Sequence, residues 1–339
     1  MRSGRAIGLG VFAAVVLAAG SPAQPRQPDA AGRLPTGEIL ATKLVAAGSG
    51  TRSDLYVMEP DGSHVRLFQR NASNAAVTGN GKRIAFVRDH QTWVMNRDTS
   101  GLRRLTVPPR NARDDDPAWA PNAEGLYFSR QTGSSRTEST TSSIFFVRAD
   151  GSGLRQLTHA ATSSGFHALP ACHQLPSSSL DGHVVVYTLI DSCSHTPDSS
   201  LAAVTSGGHA TPIHPIWPDW MMDGEWQGAT WAPTREEIAY FIYDWNPERV
   251  GLYVSQINGT HARRVALWAH SDTVGWPLRA PAWSPDSAFL AIIRAEGLSG
   301  RTSALVGDVW LIGTDGGRPQ RLTTTGDYAA QTWLPAVRR

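Results

Sequence analysis

The sequence predicts an all-β protein assembled from one four-stranded unit used repeatedly, and three observations predict it. First, a phrase recurs: "FVRADGSGLRQLT" (146–158) is rewritten as "VMEPDGSHVRLF", "VMNRDTSGLRRLT", "VSQINGTHARRV" and "LIGTDGGRPQRLT", with a worn copy "AVTSGGHATPI". Second, the stretches between copies are short β-type runs bounded by turn formers, and no sustained helical stripe interrupts them. Third, the two ends of the repeat array each carry part of a single unit.

The phrase reads as a hairpin. Its origins are Asp61, Asp98, Asp150, Ser206, Asn258 and Asp315. Five residues before them stand Tyr56, Trp93, Phe145, Leu201, Tyr253 and Trp310, and seven after them Phe68, Leu105, Leu157, Ile213, Val265 and Leu322. Asp-Gly, Asn-Gly and Gly-Gly at or beside the origins supply the positive φ angles of tight hairpins. Upstream of each copy runs a second hairpin, as in "DDPAWAPNAEGLYFSR", "NAAVTGNGKRIAFVR", "ATWAPTREEIAYFIY", "APAWSPDSAFLAIIR" and the worn "LPSSSLDGHVVVYTL". Trp119, Trp231 and Trp283 hold equivalent places there. "RIAFV", "VVVYTL", "IAYFIY" and "FLAII" are apolar enough to be buried on both faces. Four antiparallel strands per unit, written six times, predict a six-bladed β-propeller whose blades bury both faces against their neighbours.

The ends predict closure. "LPTGEILATKLV" supplies a turn at Pro35-Thr36-Gly37 and a second strand from Ile39, but no Trp-bearing first strand precedes it. That strand is found at the other end as "AAQTWLPAV", with Trp333 and Pro335 in the Trp and Pro slots. A C-terminal strand joining the first blade removes the open edge of the array.

Before the propeller (35–339) the chain opens "MRSGRAIGLGVFAAVVLAAGSPAQP". Arg2 and Arg5, an apolar stretch from Ile7 to Ala19 and the small residues around Ala23 predict a cleaved signal peptide over 1–23, followed by a short linker over 24–34. This places the protein in the periplasm or outside the cell, with no transmembrane segment after signal removal. A net charge of +2 without a Lys/Arg block argues against a nucleic-acid partner. The only cysteines are Cys172 and Cys193. The Asp181-Gly182 turn places Cys172 opposite residue 191, close enough to predict a disulfide with Cys193.

"DPAWAPNAEGLYF…IFFVRADGSGLRQLT" and "PAWSPDSAFLAII…DVWLIGTDGGRPQRLT" resemble the WD-like repeats of the TolB propeller family. The resemblance spans nearly all of the mature chain, without the α/β domain that precedes the TolB propeller. It implies a protein or peptide partner in the cell envelope, held at the channel mouth. The repeat also precedes the catalytic domain of prolyl-oligopeptidase-like enzymes, but the Gly-x-Ser-x-Gly elbow of that domain is missing here.

In such a ring the first strands surround the channel. Alignment on Trp119 brings Ser73, Asn74, Asp115, Asp116, His173, Gln174, Gln227 and Arg279 to its mouth, a polar set of both charge signs suited to a peptide or a polar small molecule. The loop "HPIWPDWMMDGEWQGATW" offers Trp217, Trp220 and Trp226 as a second binding surface or as a small core of its own. Seven of the eleven histidines fall between His159 and His214, without the spacing of a metal site. No cofactor is expected. The favoured function is a non-enzymatic, monomeric binding or scaffold protein. The alternative is a metal-dependent polysaccharide lyase or hydrolase, or a carbohydrate-binding propeller. "RQTGSSRTESTTSS" (130–143) is expected to be a mobile Ser/Thr-rich loop, and the sequons at Asn71 and Asn258 are expected to be ordinary turns.

Overall fold

A computed structural model describes residues 34–133, 140–160, 171–190, 199–205, 207–213, 224–245, 248–269, 279–294 and 306–336. The expected signal peptide, nearly all of the expected linker, and the centres of the Ser/Thr-rich and Trp-rich loops lie outside these residues. Within them the regular structure is entirely β, and no helix is long and apolar enough to cross a membrane.

Four separate four-stranded antiparallel sheets form. The first joins β1 (Glu38–Ala47), β2 (Gly50–Met58) and β3 (Arg66–Gln69) to the last strand, β24 (Tyr328–Leu334). The others are β4 (Ser73–Val77) to β7 (Arg103–Arg104), β16 (Gly224–Trp231) to β19 (Arg263–Ala269), and β20 (Ala282–Trp283) to β23 (Gln320–Arg321). The remaining strands form one eight-stranded sheet, from β8 (Ala112–Trp119) to β15 (Ala210–Ile213). Within it, β8, β9 (Gly125–Thr132), β10 (Thr141–Arg148) and β11 (Arg155–Gln156) are one antiparallel set. A second set comprises β12 (Cys172–Ser178), β13 (Val184–Ile190), β14 (Ser199–Thr205) and β15. A single parallel pair, Ser142 with Cys172, links the two. Hydrogen bonding thus gives four blades and one double-width sheet where the repeats led us to expect six alike.

The repeated phrase becomes a repeated register. Tyr56 faces Leu67, Trp93 faces Arg104, Phe145 faces Gln156, Tyr253 faces Arg264 and Trp310 faces Arg321, each spanning the same sequence interval, while the worn copy shifts by one to pair Leu201 with Ile213. Its origins are Asx turns: the side chains of Asp61, Asp98, Asp150 and Asn258 accept from the backbone N–H two residues on at 2.8–3.0 Å. The threonine ending three copies is also structural. Thr106, Thr158 and Thr323 each accept the third-strand N–H of Thr92, Ile144 or Val309 at 2.9–3.0 Å, where the ladder would otherwise leave it unmatched.

The core lies between sheets. Val186 and Leu201 pack with Ile238 and Tyr240 of the next sheet, and Ile39 and Met58 pack with Leu311 and Trp333. The first strands touch in the cyclic order β24, β4, β8, β12, β16, β20 and back to β24, a propeller-like arrangement around an axis. Closure by β24 is present: Trp333 faces Ile39 and Leu334 faces Glu38.

Candidate functional site

Four of the first strands break register at the same place: between Ser73 and Ala76, Asp115 and Ala118, Gln174 and Ser177, and Gln227 and Thr230. Each break holds a residue at positive φ, namely Asn74 (48°), Asp116 (51°), Leu175 (53°) and Gly228 (65°). Such bulges re-aim the strand and its neighbouring side chains, and backbone strain of this kind tends to collect at functional sites. The requirement for glycine is sharpest at Gly228, where a Cβ would lie 2.8 Å from the Cα of Ala280.

Asp115 and Asp116, on the bulge of β8, face Arg279, just before β20. In the cyclic order of first strands β8 and β20 stand opposite, so this contact crosses the axis. Arg279 Nη1 donates to Asp116 Oδ1, and its Nη2 lies 4.0 Å from Asp115 Oδ2. The other Asp116 oxygen, Oδ2, accepts from Ser129 Oγ at 3.0 Å and from the Leu175 N–H at 3.4 Å. Asp115 Oδ1 accepts from the Asn74 side-chain amide and from the Asp116 N–H. Exposure differs sharply: the Asp116 side chain is 7% accessible, Arg279 27% and Asp115 45%. Burial, with the Asp115 charge adding to it, pushes the Asp116 carboxyl up to about 6 against the pull of Arg279. Burial works against the charged Arg279 guanidinium, but Asp116 and Asp115 hold its pKa above the ordinary value.

Two cavities meet at this pair. One, of about 440 Å³, is lined by His90, Arg113, Asp115, Gln131, Gln174 and Arg279 among others. The other, of about 560 Å³, is walled by the Trp-Pro turns of the first strands, including Trp119, Pro121, Trp231, Trp283, Trp333 and Pro335. Asp116 and Arg279 line both. The first cavity is the mouth expected from the sequence, and its walls are charged. The second is mostly carbon.

The structure brings Asp115, Asp116, Gln174 and Arg279 together, with Asn74 joined to Asp115. His173 is a correction. It is not among the cavity residues: its Nδ1 lies 2.7 Å from Thr158 Oγ1, its ring packs 5.0 Å from that of Tyr187, and burial pulls its pKa down to about 4. On a strand the residue beside a channel-facing Gln174 must point the other way. Gln227 occupies the equivalent bulge of β16 and is half-buried, but does not line the cavity. Trp226 is a second correction, because it packs into the core with Val186, Ile238 and Tyr240 and is 9% exposed. Trp217, Trp220 and Cys193 lie outside the described residues. Cys172 is disulfide-bonded and faces Ile190, not residue 191, because the bulge after Gln174 shifts the register. Among the described residues no group of three or more His, Cys, Asp or Glu side chains is arranged to hold a metal ion.

Mouth residues that first-strand alignment missed sit on second strands, a third strand and a turn: Ser129 and Gln131 on β9, Ser142 on β10 and His90 after β5 (Arg83–Arg88). Their signal was present in "LYFSRQT", where a run that begins apolar turns polar on its inner side.

No family model matches the chain, and no curated protein matches it. Solved structures do. TolB from Acinetobacter baumannii superposes with a TM-score of 0.64 at 14% identity, over 88% of this chain and 67% of that one. A TolB-type structure from Agrobacterium tumefaciens gives 0.56 at 11%, over 88% and 92%. The oligogalacturonate lyase of Vibrio parahaemolyticus gives 0.51 at 10%, over 86% and 89%. At these identities the likeness is one of fold, and the fold is that of a TolB-like propeller.

Proposed function

We infer that this is an exported, non-enzymatic, monomeric binding or scaffold protein of the bacterial envelope, whose propeller holds an extended peptide segment of another protein at the channel mouth. In this reading residues 1–23 are a signal peptide, 24–34 a linker and 35–339 one propeller, and the mature protein works in the periplasm or outside the cell. The double-width sheet counts as two blades, since one bridged pair joins two complete antiparallel sets, and the propeller then has six.

The observation that carries the reading is the mouth itself. A cavity of about 440 Å³ opens on an exposed carboxylate, Asp115, and on an arginine that spends one end of its fork on Asp116. Unspent donors and acceptors of both signs match the alternating amide groups and charged termini of a peptide. Likeness in fold to both TolB and a lyase leaves function to be argued from the site.

Site-specific photo-crosslinking tests it. A photoreactive residue replacing Gln174, in the cavity wall, should capture a discrete protein from an envelope extract. The same residue replacing Val107, 65% exposed and outside the cavity wall, should capture none. Equal capture at both positions would remove the mouth as the binding site.

A further inference from the structure

We propose that Asp116 is an internal stand-in for the ligand's own carboxylate: a peptide carboxylate entering the mouth takes Arg279 from Asp116, and Asp116 takes up one proton from solvent in exchange. This rests on the mouth being the peptide site and states what chemistry that site selects.

The two oxygens of Asp116 are held differently. Oδ2 is fixed by the Ser129 hydroxyl and the Leu175 N–H, whereas Oδ1 has Arg279 as its side-chain partner. The exchange therefore changes partners at one atom and leaves the strand contacts in place. Arg279 meets Asp116 through Nη1 alone, with Nη2 4.0 Å from Asp115, so its planar fork is not closed on either acid. A free carboxylate can close it with two parallel bonds, a geometry for which a guanidinium is preformed. The pair also stands where the two cavities meet, so a ligand group reaches Arg279 through space that is already open.

Charge balance favours the proton. The cluster now holds two carboxylates and one guanidinium. A third carboxylate would leave a net charge of −2 in a half-buried site. Uptake of one proton at Asp116 Oδ1 restores −1, and the new O–H can donate to the incoming carboxylate. The remaining groups facing Asp116 do not substitute for it. Asp114 is closed on Arg130 through both oxygens. Asn74, Ser129 and the Leu175 backbone are neutral, and His90 and Arg113 stand on the mouth wall. With Asp116 already raised to about 6, the exchange is inexpensive near neutral pH.

The test uses the purified protein with N-acetyl-glycyl-glycine and its C-terminal amide, followed by calorimetry in two buffers of different ionisation heat. The acid should bind about tenfold or more tightly than the amide, with about one proton taken up per peptide near pH 7. Its apparent affinity should fall about tenfold or more between pH 5 and pH 7.5, following deprotonation of Asp116. In Asp116→Asn the acid should bind without proton uptake, without that pH dependence, and about tenfold more tightly than to wild type at pH 7.5. Acid binding to the wild type with no proton uptake overturns the exchange while leaving the mouth as a peptide site, and needs no variant to read. Failure of the acid to bind either protein overturns it also, and crosslinking at Gln174 then decides the mouth reading separately.

Discussion

The indole Nε1 of Trp333, on the last strand, donates to the carbonyl of Ala282, on the first strand of the neighbouring sheet, at 2.9 Å. Trp119 does the same to Ala76 at 3.3 Å and Trp283 to Thr230 at 3.0 Å. Three of the repeated tryptophans are thus staples between consecutive sheets, with Trp333 the one that closes the ring, whereas the buried Trp231 indole N–H makes no such bond. Trp333→Ala should cost about 3–5 kcal/mol and lower the Tm by on the order of 10 °C. Truncation after Thr325, which removes all of β24, should cost more. Calorimetry checks both, and a truncated chain that melts with the full one would contradict closure.

Cys172 should have Cys193 as its disulfide partner. Closing about 20 residues of chain contributes on the order of 3 kcal/mol. Thiol titration of the unreduced, unfolded protein should find no free thiol. Two would overturn the pairing.

Two groups should pull stability in opposite directions in mild acid. His173 is lowered to about 4 by burial, so below its ordinary value the unfolded chain binds a proton that the folded one refuses, and stability falls from about pH 6.5 to pH 4. Asp116 is raised to about 6, so the folded state takes its proton first, and stability rises from about pH 6 to pH 4. His173→Asn should therefore remove up to about 3 kcal/mol of acid destabilisation and leave a protein that gains stability on mild acidification. Denaturant melts at pH 4.5 and pH 7 read it. An unchanged pH profile would mean that His173 takes up its proton equally in the folded and the unfolded chain.

The Asp114–Arg130 pair is buried on both sides, at 0% and 7% accessibility, with two hydrogen bonds of 2.6 and 2.9 Å. Asp114→Ala should cost about 3–5 kcal/mol, because Arg130 is left charged and buried between Phe128 and Phe145. The double change Asp114→Leu with Arg130→Met should cost much less. Equal losses in the two proteins would show that the pair contributes more than the penalty of orphaning one partner.

What was legible in the sequence was whatever the repeats wrote more than once. The Asx turns, the Trp staples and the split first blade showed as fixed offsets, because hairpin register and blade contact call for them in several units. The mouth was legible only in part. Asp115, Asp116, Gln174 and Arg279 were found by alignment, since the entry ends of the first strands carry residues that the scaffold does not constrain. His173 was misplaced because alternation at a bulge cannot be phased from sequence, and the same bulge moved the partner of Cys172 to Ile190. Trp226 read as a loop residue because part of the apolar surface that covers it comes from a different sheet. The width of the sheet spanning β8 to β15 turned on one bridged pair, Ser142 with Cys172, and no pattern of residue types announces that.

Whether the mouth holds a partner through Arg279 is read from the affinity of the protein captured through Gln174 for wild type, Arg279→Gln and Arg104→Gln, with folding of each confirmed at the assay temperature. Arg104 is an exposed cation on the outer strand β7 and serves as the rim control. Arg279→Gln should weaken binding about tenfold or more, while Arg104→Gln stays within about twofold. An Arg279→Gln protein that binds as tightly as wild type, with the loss appearing at Arg104, would contradict it.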